Sequence, residues 1–320
     1  MKRLLVLGIV VVIVLGALPV FGAYPERPIT IICPWAAGGG TDRITRALAL
    51  ELSEILGVPV GVTNVTGGAG VVGHTAGAQA APDGYTLTMV TLDICLLHWQ
   101  GLTDLTYEAF EPIALVNADY SAITVRADSP WKTYEDLHAY IKEHPGKLLA
   151  SGSGAGTIWD LARAGWLLAA GFGVNDVGWV PTTGAAPSLQ ELIAGGVDIV
   201  TCSLAEAIPV IESGEAKCLA FMGPERHPSY PDVPTLRELG IPWEAGTWRG
   251  LGAPKGTLPE IIKVLEAAVA KAVQSQRFVD FMQKNGFGIR FLTAQDFGKF
   301  MADEDKKWGE VLRQAGFAKP

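Results

Sequence analysis

Glycine-rich loops recur in this chain between β-type and helical runs, and they constrain the fold more than any other feature. Three such loops occupy residues 34–42, 66–73 and 151–157, which read PWAAGGGTD, TGGAGVVG and SGSGAGT. A loop of this kind directs backbone N–H groups and a helix N-terminus into one crevice, which suits an anion. The alternation of strand, loop and helix predicts an α/β chain with largely parallel sheets.

The N-terminus predicts export. Lys2 and Arg3 precede an apolar run over residues 4–18, and the small residues Gly22 and Ala23 close the segment. This order is typical of a secretory signal, and the length of the apolar run leaves an uncleaved anchor as the alternative. Residues 1–23 are therefore assigned to a signal peptide or N-terminal anchor, and the remaining chain to the periplasm or the extracellular face of the membrane.

Charge and cysteine content exclude several function classes. The formal net charge is −8, so no basic face for nucleic acid is predicted. Cys33, Cys95, Cys202 and Cys218 lack the spacing of a metal site, and no metal or cofactor is predicted. Export permits disulfides, whereas the apolar runs around Cys33, Cys202 and Cys218 favour buried free thiols.

The order of elements predicts two lobes. A connector with four prolines spans residues 223–234, and a strand-poor, helix-rich segment follows it. We expect this segment to return to the first lobe, so that lobe 1 comprises residues 24–122 and 223–320 and lobe 2 residues 123–222. The first helix is expected over residues 42–56, with Thr41 or Asp42 as its N-cap and Gly57 at its end.

The second loop offers an alternative function. Residues 68–73 fit GxGxxG between a strand and a helix, and Asp93 follows about 20 residues later, as in a dinucleotide fold. An NAD-dependent oxidoreductase is therefore one hypothesis. Export argues against it, and so does the strand–loop–helix unit that precedes the motif. A serine nucleophile elbow and a Walker A loop are both absent from the sequence.

Several short runs together resemble a known family, the periplasmic solute-binding proteins of tripartite tricarboxylate transporters, often called the Bug family. The resemblance implies a two-lobed Venus-flytrap fold, type II-like, that closes on one small molecule without catalysis. It also implies a monomer that delivers a di- or tricarboxylate, an amino acid or an aromatic acid to membrane permease subunits. The runs that carry it lie at residues 24–30 (YPERPIT), 34–42, 81–87 (APDGYTL), 195–198 (GGVD), 231–236 (PDVPTL), 250–251 and 253–257 (APKGT).

The resemblance also implies a set of ligand-binding residues, with the ligand carboxylate on the amides of residues 37–41. Trp35, inside the first loop, fits both a ligand role and a packing role. Asp160 stands where the family often has His, so it would repel a second carboxylate or pair with a ligand amine. A sensor that presents the same lobes to a signalling partner is a further alternative. The implied residues are Trp35, Ala37, Gly38, Gly39, Thr41, Asp42, Thr91, Ser151, Gly152, Gly154, Thr157, Asp160, Thr182, Thr183 and Cys202.

Overall fold

A computed structural model describes residues 24–314 and 317–319, so the predicted signal segment at residues 1–23 lies outside the described part. The strands are β1 (Ile29–Cys33), β2 (Val60–Asn64), β3 (Thr86–Thr91), β4 (Phe110–Tyr120), β5 (Ala122–Arg126), β6 (Leu148–Ser151), β7 (Val177–Trp179), β8 (Ile199–Val200), β9 (Ala216–Phe221), β10 (Gly246–Pro254) and β11 (Ile289–Leu292). The α-helices are α1 (Gly40–Leu56), α2 (Val71–Ala78), α3 (Tyr134–Glu143), α4 (Ile158–Ala169), α5 (Ala185–Ala194), α6 (Leu204–Glu212), α7 (Pro259–Ala272), α8 (Gln276–Lys284) and α9 (Ala294–Gln314).

The strands form two mixed sheets. The six-stranded sheet has the order β11-β4-β10-β3-β1-β2, and the five-stranded sheet has the order β7-β6-β8-β5-β9. Only β1 with β2 and β3, and β6 with β7 and β8, pair in parallel. The expectation of largely parallel sheets is therefore wrong. The cause in the first sheet is β10, which returns from the second half of the chain and runs antiparallel to both β3 and β4.

We call the six-stranded sheet with its helices lobe 1 and the five-stranded sheet with its helices lobe 2. The chain passes from β4 to β5 at Ser121 and returns between β9 and β10. The Ser121 carbonyl accepts from the Met222 amide at 2.8 Å, and the Ser121 amide donates to Ala245 at 2.9 Å, so the two crossings lie side by side. The boundaries at 122/123 and 222/223 stay a prediction.

Helix α1 shows how the sequence builds the edge of lobe 1. Ile44, Leu48 and Leu52 recur at four-residue spacing and are fully buried, which fixes the face that packs into the lobe. Gly57 ends the helix in the left-handed region at φ 72°, as predicted. The N-cap is Gly39, in an extended conformation, so the expectation of Thr41 or Asp42 at that position is wrong.

Apolar clusters fill each lobe, and a further cluster joins them. The joining cluster includes Leu92 and Trp248 from lobe 1 and Ile158 and Trp159 from lobe 2. Burying side chains of this size stabilises contact by about 1.5–3 kcal/mol each, so the lobes are packed against one another beside the first and third glycine loops. None of the described helices combines the length and apolarity that a membrane span needs.

The four cysteines are free thiols, as the apolar runs favour for Cys33, Cys202 and Cys218. Cys33, Cys95 and Cys202 are buried, and Cys218 is half-buried. Burial raises the pKa of the Cys33 thiol to about 11, which keeps it protonated and unreactive. Within the described ranges, no group of three His, Cys, Asp or Glu side chains is placed to hold a metal ion.

Candidate functional site

The first glycine loop lies between the lobes, and the protein's own carboxylates accept from its amides. The Gly38 N–H donates to Asp42 Oδ2 at 2.9 Å, and the Gly40 N–H donates to Glu206 Oε1 at 2.9 Å. Arg46 and Asn64 hold Asp42 in turn. The Gly38 and Gly40 amides thus already donate to carboxylates of the chain itself, and the expectation of a ligand carboxylate on the amides of residues 37–41 stays a prediction.

Arg249 in β10 is the buried positive charge of the cleft. Its side chain is 2 % exposed and donates in three directions. Nε donates to Thr41 Oγ1 at 2.9 Å, Nη1 to Asp119 Oδ2 at 2.8 Å and Nη2 to Glu206 Oε1 at 3.2 Å. The register of β10 against β4 shifts between Arg249 and Gly250, and an irregularity of this kind re-aims a side chain at a sheet edge or site.

Glu206 joins the two lobes through its two carboxylate oxygens. Oε2 accepts from the backbone and hydroxyl of Ser203, which completes the capping box of α6 in lobe 2. Oε1 faces the other way and accepts from Gly40 and Arg249 in lobe 1. One side chain therefore begins a helix of lobe 2 and binds the N-terminus of α1 in lobe 1.

Asp93 makes the reciprocal contact from lobe 1 to lobe 2. Its Oδ1 accepts from the Ile158 N–H at 2.9 Å, at the N-terminus of α4, and its Oδ2 accepts from the Thr91 hydroxyl at 3.0 Å. Burial raises the pKa of Asp93 to about 6. Each of the two helices at the cleft thus receives a carboxylate from the opposite lobe.

Thr91 connects Asp93 to two further side chains. Trp35 Nε1 donates to the Thr91 hydroxyl at 3.2 Å, and the Thr91 N–H donates to His74 Nε2 at 3.3 Å. Burial lowers the pKa of His74 to about 4, so the ring is neutral and can accept from Thr91. Trp35 and Thr91 therefore form a fixed wall on the lobe 1 side.

Between these groups lies a cavity of about 20 Å³, which is the size of one water molecule. Of the predicted site residues, the structure brings Trp35, Gly39, Thr41 and Thr91 to its wall. A groove of about 370 Å³ shares Gly39 and Glu206 with it and is lined by Gly38 and Arg43. The other lining residues of the cavity are Ala36, Gly40, Asp93, Ser153, Ile158, Trp159, Gly184, Ala185, Glu206, Thr247 and Arg249.

Several predicted residues of lobe 2 support the cleft from behind its wall. The buried Ser151 hydroxyl donates to Val180, and Thr157 is the N-cap of α4. Gly154 lies against Ala69, where a Cβ would approach the Ala69 Cβ to 2.7 Å. Gly152 packs in the same way on Trp159, so both glycines permit close approach of backbone and neighbour.

The structure places the remaining predicted residues outside the cavity wall. Asp160 binds Arg163 and the Gly156 amide, so both of its oxygens are used within lobe 2. The Thr182 hydroxyl bonds to Ser188, and the Thr183 carbonyl accepts from the Ala36 N–H across the cleft. Ala37 is exposed, and Cys202 is fully buried.

The GxGxxG run serves packing in this structure. Gly70 lies under the Trp35 ring and Gly73 against Pro34, so glycines at these positions let α2 approach the first loop. Asp93 is bound to Ile158 of the other lobe, whereas a dinucleotide site would need that carboxylate for a ribose. The geometry therefore gives the dinucleotide hypothesis no support.

A larger cavity of about 490 Å³ is lined in part by Asp119, which binds Arg249, and by the first turn of α6. The chain crossings line it, together with Tyr120, Phe221, His227 and Phe287. Its walls are mostly apolar, whereas Arg249 and the N-termini of α1 and α4 line the small cavity between the lobes. The chemistry of anion binding therefore points to the smaller site.

The two sheets, the double crossing and the cleft define a two-lobed periplasmic solute-binding protein of the Venus-flytrap type. The family model for the tripartite tricarboxylate transporter family receptor matches residues 44–317. Protein BugT of Bordetella pertussis is 33% identical over 323 residues, which cover 99% of this chain and 98% of BugT. The chain belongs to this receptor family, as the sequence runs predict.

Two solved structures extend the comparison. MatC from Rhodopseudomonas palustris with bound malate is 29% identical, covers 90% of this chain and 100% of its own, and has a TM-score of 0.83. R. palustris Rpa4515 with adipate is 28% identical, covers 92% of this chain and 99% of its own, and has a TM-score of 0.85. The fold predicted from the sequence is therefore confirmed.

Arg249 and Glu206 were not among the residues expected to bind a ligand, and Asp93 was considered only for the dinucleotide hypothesis. An arginine inside the apolar β10 run, next to Gly250, was the available signal, because a buried guanidinium needs carboxylate partners. The Ser203-to-Glu206 spacing predicts a capping box but not the second bond of Glu206 across the cleft.

Proposed function

We propose that this protein captures a small carboxylate-bearing solute between its lobes and delivers it to a membrane permease outside the cytoplasm, as a monomer and without catalysis. The observation that carries this proposal is the position of Arg249 Nη2 beside the Gly40 N–H, because both donate to one carboxylate oxygen, Glu206 Oε1. The geometry of a bound carboxylate is thus already built into the cleft.

The energies of these donors support a carboxylate ligand. A helix N-terminus contributes about 0.3–1 kcal/mol when exposed and up to ~2 kcal/mol when partly buried. A hydrogen bond to a charged group adds about 1.5–3 kcal/mol. Arg43, in the first turn of α1, lines the adjoining groove and supplies a second positive charge for the far end of a ligand.

The site for the ligand comprises the cavity and the adjoining groove. Ligand pockets usually enclose about 300–1,000 Å³, so the cavity of about 20 Å³ must widen and the groove of about 370 Å³ must be used. Glu206 lies at the junction of the two, and its movement joins them. The proposed ligand contacts are Trp35, Gly39, Gly40, Thr41, Arg43, Thr91 and Arg249.

A thermal-shift screen tests this function. Residues 24–320 carry both sheets and every described helix, and they are screened against malate, adipate, citrate, amino acids, aromatic acids and NAD. A ligand at 100 times its dissociation constant stabilises by about 2.7 kcal/mol, which raises the melting temperature by several degrees. A rise with carboxylates supports the proposal, whereas a rise with NAD alone contradicts it.

A further inference from the structure

Glu206 occupies the position that an incoming carboxylate needs. Its Oε1 accepts from the Gly40 N–H of lobe 1 at 2.9 Å and from Arg249 Nη2 at 3.2 Å, although Glu206 itself belongs to α6 of lobe 2. Glu206 is buried, and so is Arg249. Contacts of this kind both fasten the lobes together and fill the anion site at the N-terminus of α1.

We propose that Glu206 is a specificity-determining latch: it holds the lobes closed through Gly40 and Arg249, and a ligand carboxylate binds by taking its place. The identity of the incoming ligand rests on the proposed function, whereas the latch itself rests on the contacts within the chain. The number of hydrogen bonds from Gly40 and Arg249 stays the same, because the ligand oxygen accepts from the same two donors that Glu206 Oε1 releases.

The remaining contacts of Arg249 explain why the exchange leaves the site intact. Nη1 stays on Asp119 and Asn117, and Nε stays on Thr41, so the guanidinium keeps its orientation when Glu206 leaves. The Ser203 bonds to Oε2 also hold the start of α6 independently of Oε1. When Glu206 Oε1 leaves, the Gly40 N–H and Arg249 Nη2 therefore become free to bind a ligand, and the other contacts within each lobe remain.

The latch also selects against additional negative charge. A ligand carboxylate that enters while Glu206 stays nearby meets a buried like charge, with Asp93 as another carboxylate on the same cavity wall. Like charges at such separations repel strongly in a desolvated site. The ligands that bind best are therefore those whose carboxylate fully displaces Glu206 Oε1 from Gly40 and Arg249.

Glu206→Gln tests the latch with little change of shape. Glutamine keeps the capping box of α6 but removes the charge on Gly40 and Arg249. The matched control is Glu238→Gln, because Glu238 also accepts from the backbone and hydroxyl of a threonine three residues earlier and pairs with an arginine, Arg226, in an exposed position.

Two measurements are made on residues 24–320. The first is the distance distribution between spin labels on the two lobes with no ligand added, and the second is calorimetric titration with malate and adipate. We expect Glu206→Gln to shift the distances toward an open form and to tighten binding about tenfold, because a charged competitor for two donors is lost. Glu238→Gln should match the wild type in both.

Unchanged distances in Glu206→Gln overturn the latch, and so does unchanged or weaker binding beside a wild type that binds. If neither protein binds any carboxylate of the thermal-shift screen, the proposed ligand class fails, while the distance distribution still decides the latch.

If Glu206→Gln does not fold, Gly40→Ala takes its place. Its Cβ would lie 2.6 Å from Glu206 and 2.9 Å from Arg249 Nη2 and would force both side chains away, whereas the control Gly39→Ala meets only ordinary contacts, its nearest neighbour 3.4 Å away. Opening with Gly40→Ala but not with Gly39→Ala supports the latch, and equal distances in the two overturn it.

Discussion

The two helices that begin at the cleft differ in what neutralises the carboxylate at their N-termini. Glu206 at α1 lies beside Arg249, which also holds Asp119. Asp93 at α4 has the Ile158 amide and the Thr91 hydroxyl, both neutral donors. Burial accordingly raises the pKa of Asp93 to about 6. In the proposed latch, α1 exchanges the Glu206 carboxylate for that of a ligand, whereas α4 keeps the Asp93 carboxylate.

Replacement of Arg249 should have the largest effect on stability, because it removes the cation that distinguishes the N-terminus of α1 from that of α4. Arg249→Met leaves Asp119 and Glu206 buried without their cation, and breaking a buried pair in this way costs about 3–5 kcal/mol. Denaturant unfolding measures the loss. The control Arg226→Met breaks an exposed pair with Glu238 and should cost less than about 1 kcal/mol.

A loss below 1 kcal/mol in Arg249→Met would show that the cation is not needed at this end. In that case, the carboxylates at α1 and α4 are both stabilised without a cation, and the two helix N-termini do not differ. Adding Glu206→Gln to Arg249→Met should recover part of the stability, because one buried charge is then removed.

The second prediction uses the pH dependence of unfolding to distinguish the contribution of Asp93 to stability from that of His74. The pKa of Asp93 is raised from 3.8 to about 6, so the folded state gains stability from Asp93 as the pH falls through this window. The pKa of His74 is lowered from 6.5 to about 4, so the folded state loses stability at His74 as the pH falls through nearly the same window. Each amounts to at most about 1.4 kcal/mol per pH unit, with opposite sign.

Unfolding free energies of wild type, Asp93→Asn and His74→Gln at pH 6.5, 5.5 and 4.5 check this prediction. The stability of the wild type relative to Asp93→Asn should rise on acidification, and its stability relative to His74→Gln should fall. Differences between variants cancel the other titrating groups. Two differences of the same sign would contradict the burial of one of the two groups.

The smallest effect is expected at Thr91. Thr91→Val removes the hydroxyl that donates to Asp93 Oδ2, so the pKa of Asp93 should rise above its value of about 6. The lost bond costs about 1–3 kcal/mol of stability. A carbon-detected NMR titration of the Asp93 carboxyl group measures the pKa.

Thr45→Val provides the matched control for Thr91→Val. Thr45 is also buried and its hydroxyl donates to the Thr41 carbonyl, away from Asp93. The pKa of Asp93 should be the same in this variant as in the wild type. If the pKa of Asp93 stays at the wild-type value in Thr91→Val, the Ile158 amide alone stabilises this carboxylate.

The local elements were predictable because their signals are local. Helix α1 was expected over residues 42–56 with Gly57 at its end, and it spans Gly40–Leu56 in the structure. Strand β10 was missed because Gly246, Gly250 and Gly252 interrupt its β-type pattern. Gly250 is required there by packing, since a Cβ would meet the Phe297 ring of α9.

The charged part of the cleft was not predictable from the sequence. Gly40 and Glu206 are 166 positions apart, and Asp93 and Ile158 are 65 apart, so their pairing depends on how the lobes close. A glycine loop indicates donors without indicating what accepts from them. For that reason the resemblance identified the family and the first loop, while Arg249 and Glu206 emerged only from the structure.

A crystal structure of residues 24–320 with malate, or with whichever carboxylate gives the largest thermal shift, tests the central claim most directly. The deciding quantities are the distances from the ligand carboxylate to the Gly40 N atom and to Arg249 Nη2. We predict about 3 Å for both, with the Glu206 carboxylate moved away from α1. Glu206 still bound to Gly40, with the ligand in the cavity of about 490 Å³ at the chain crossings, would contradict the account.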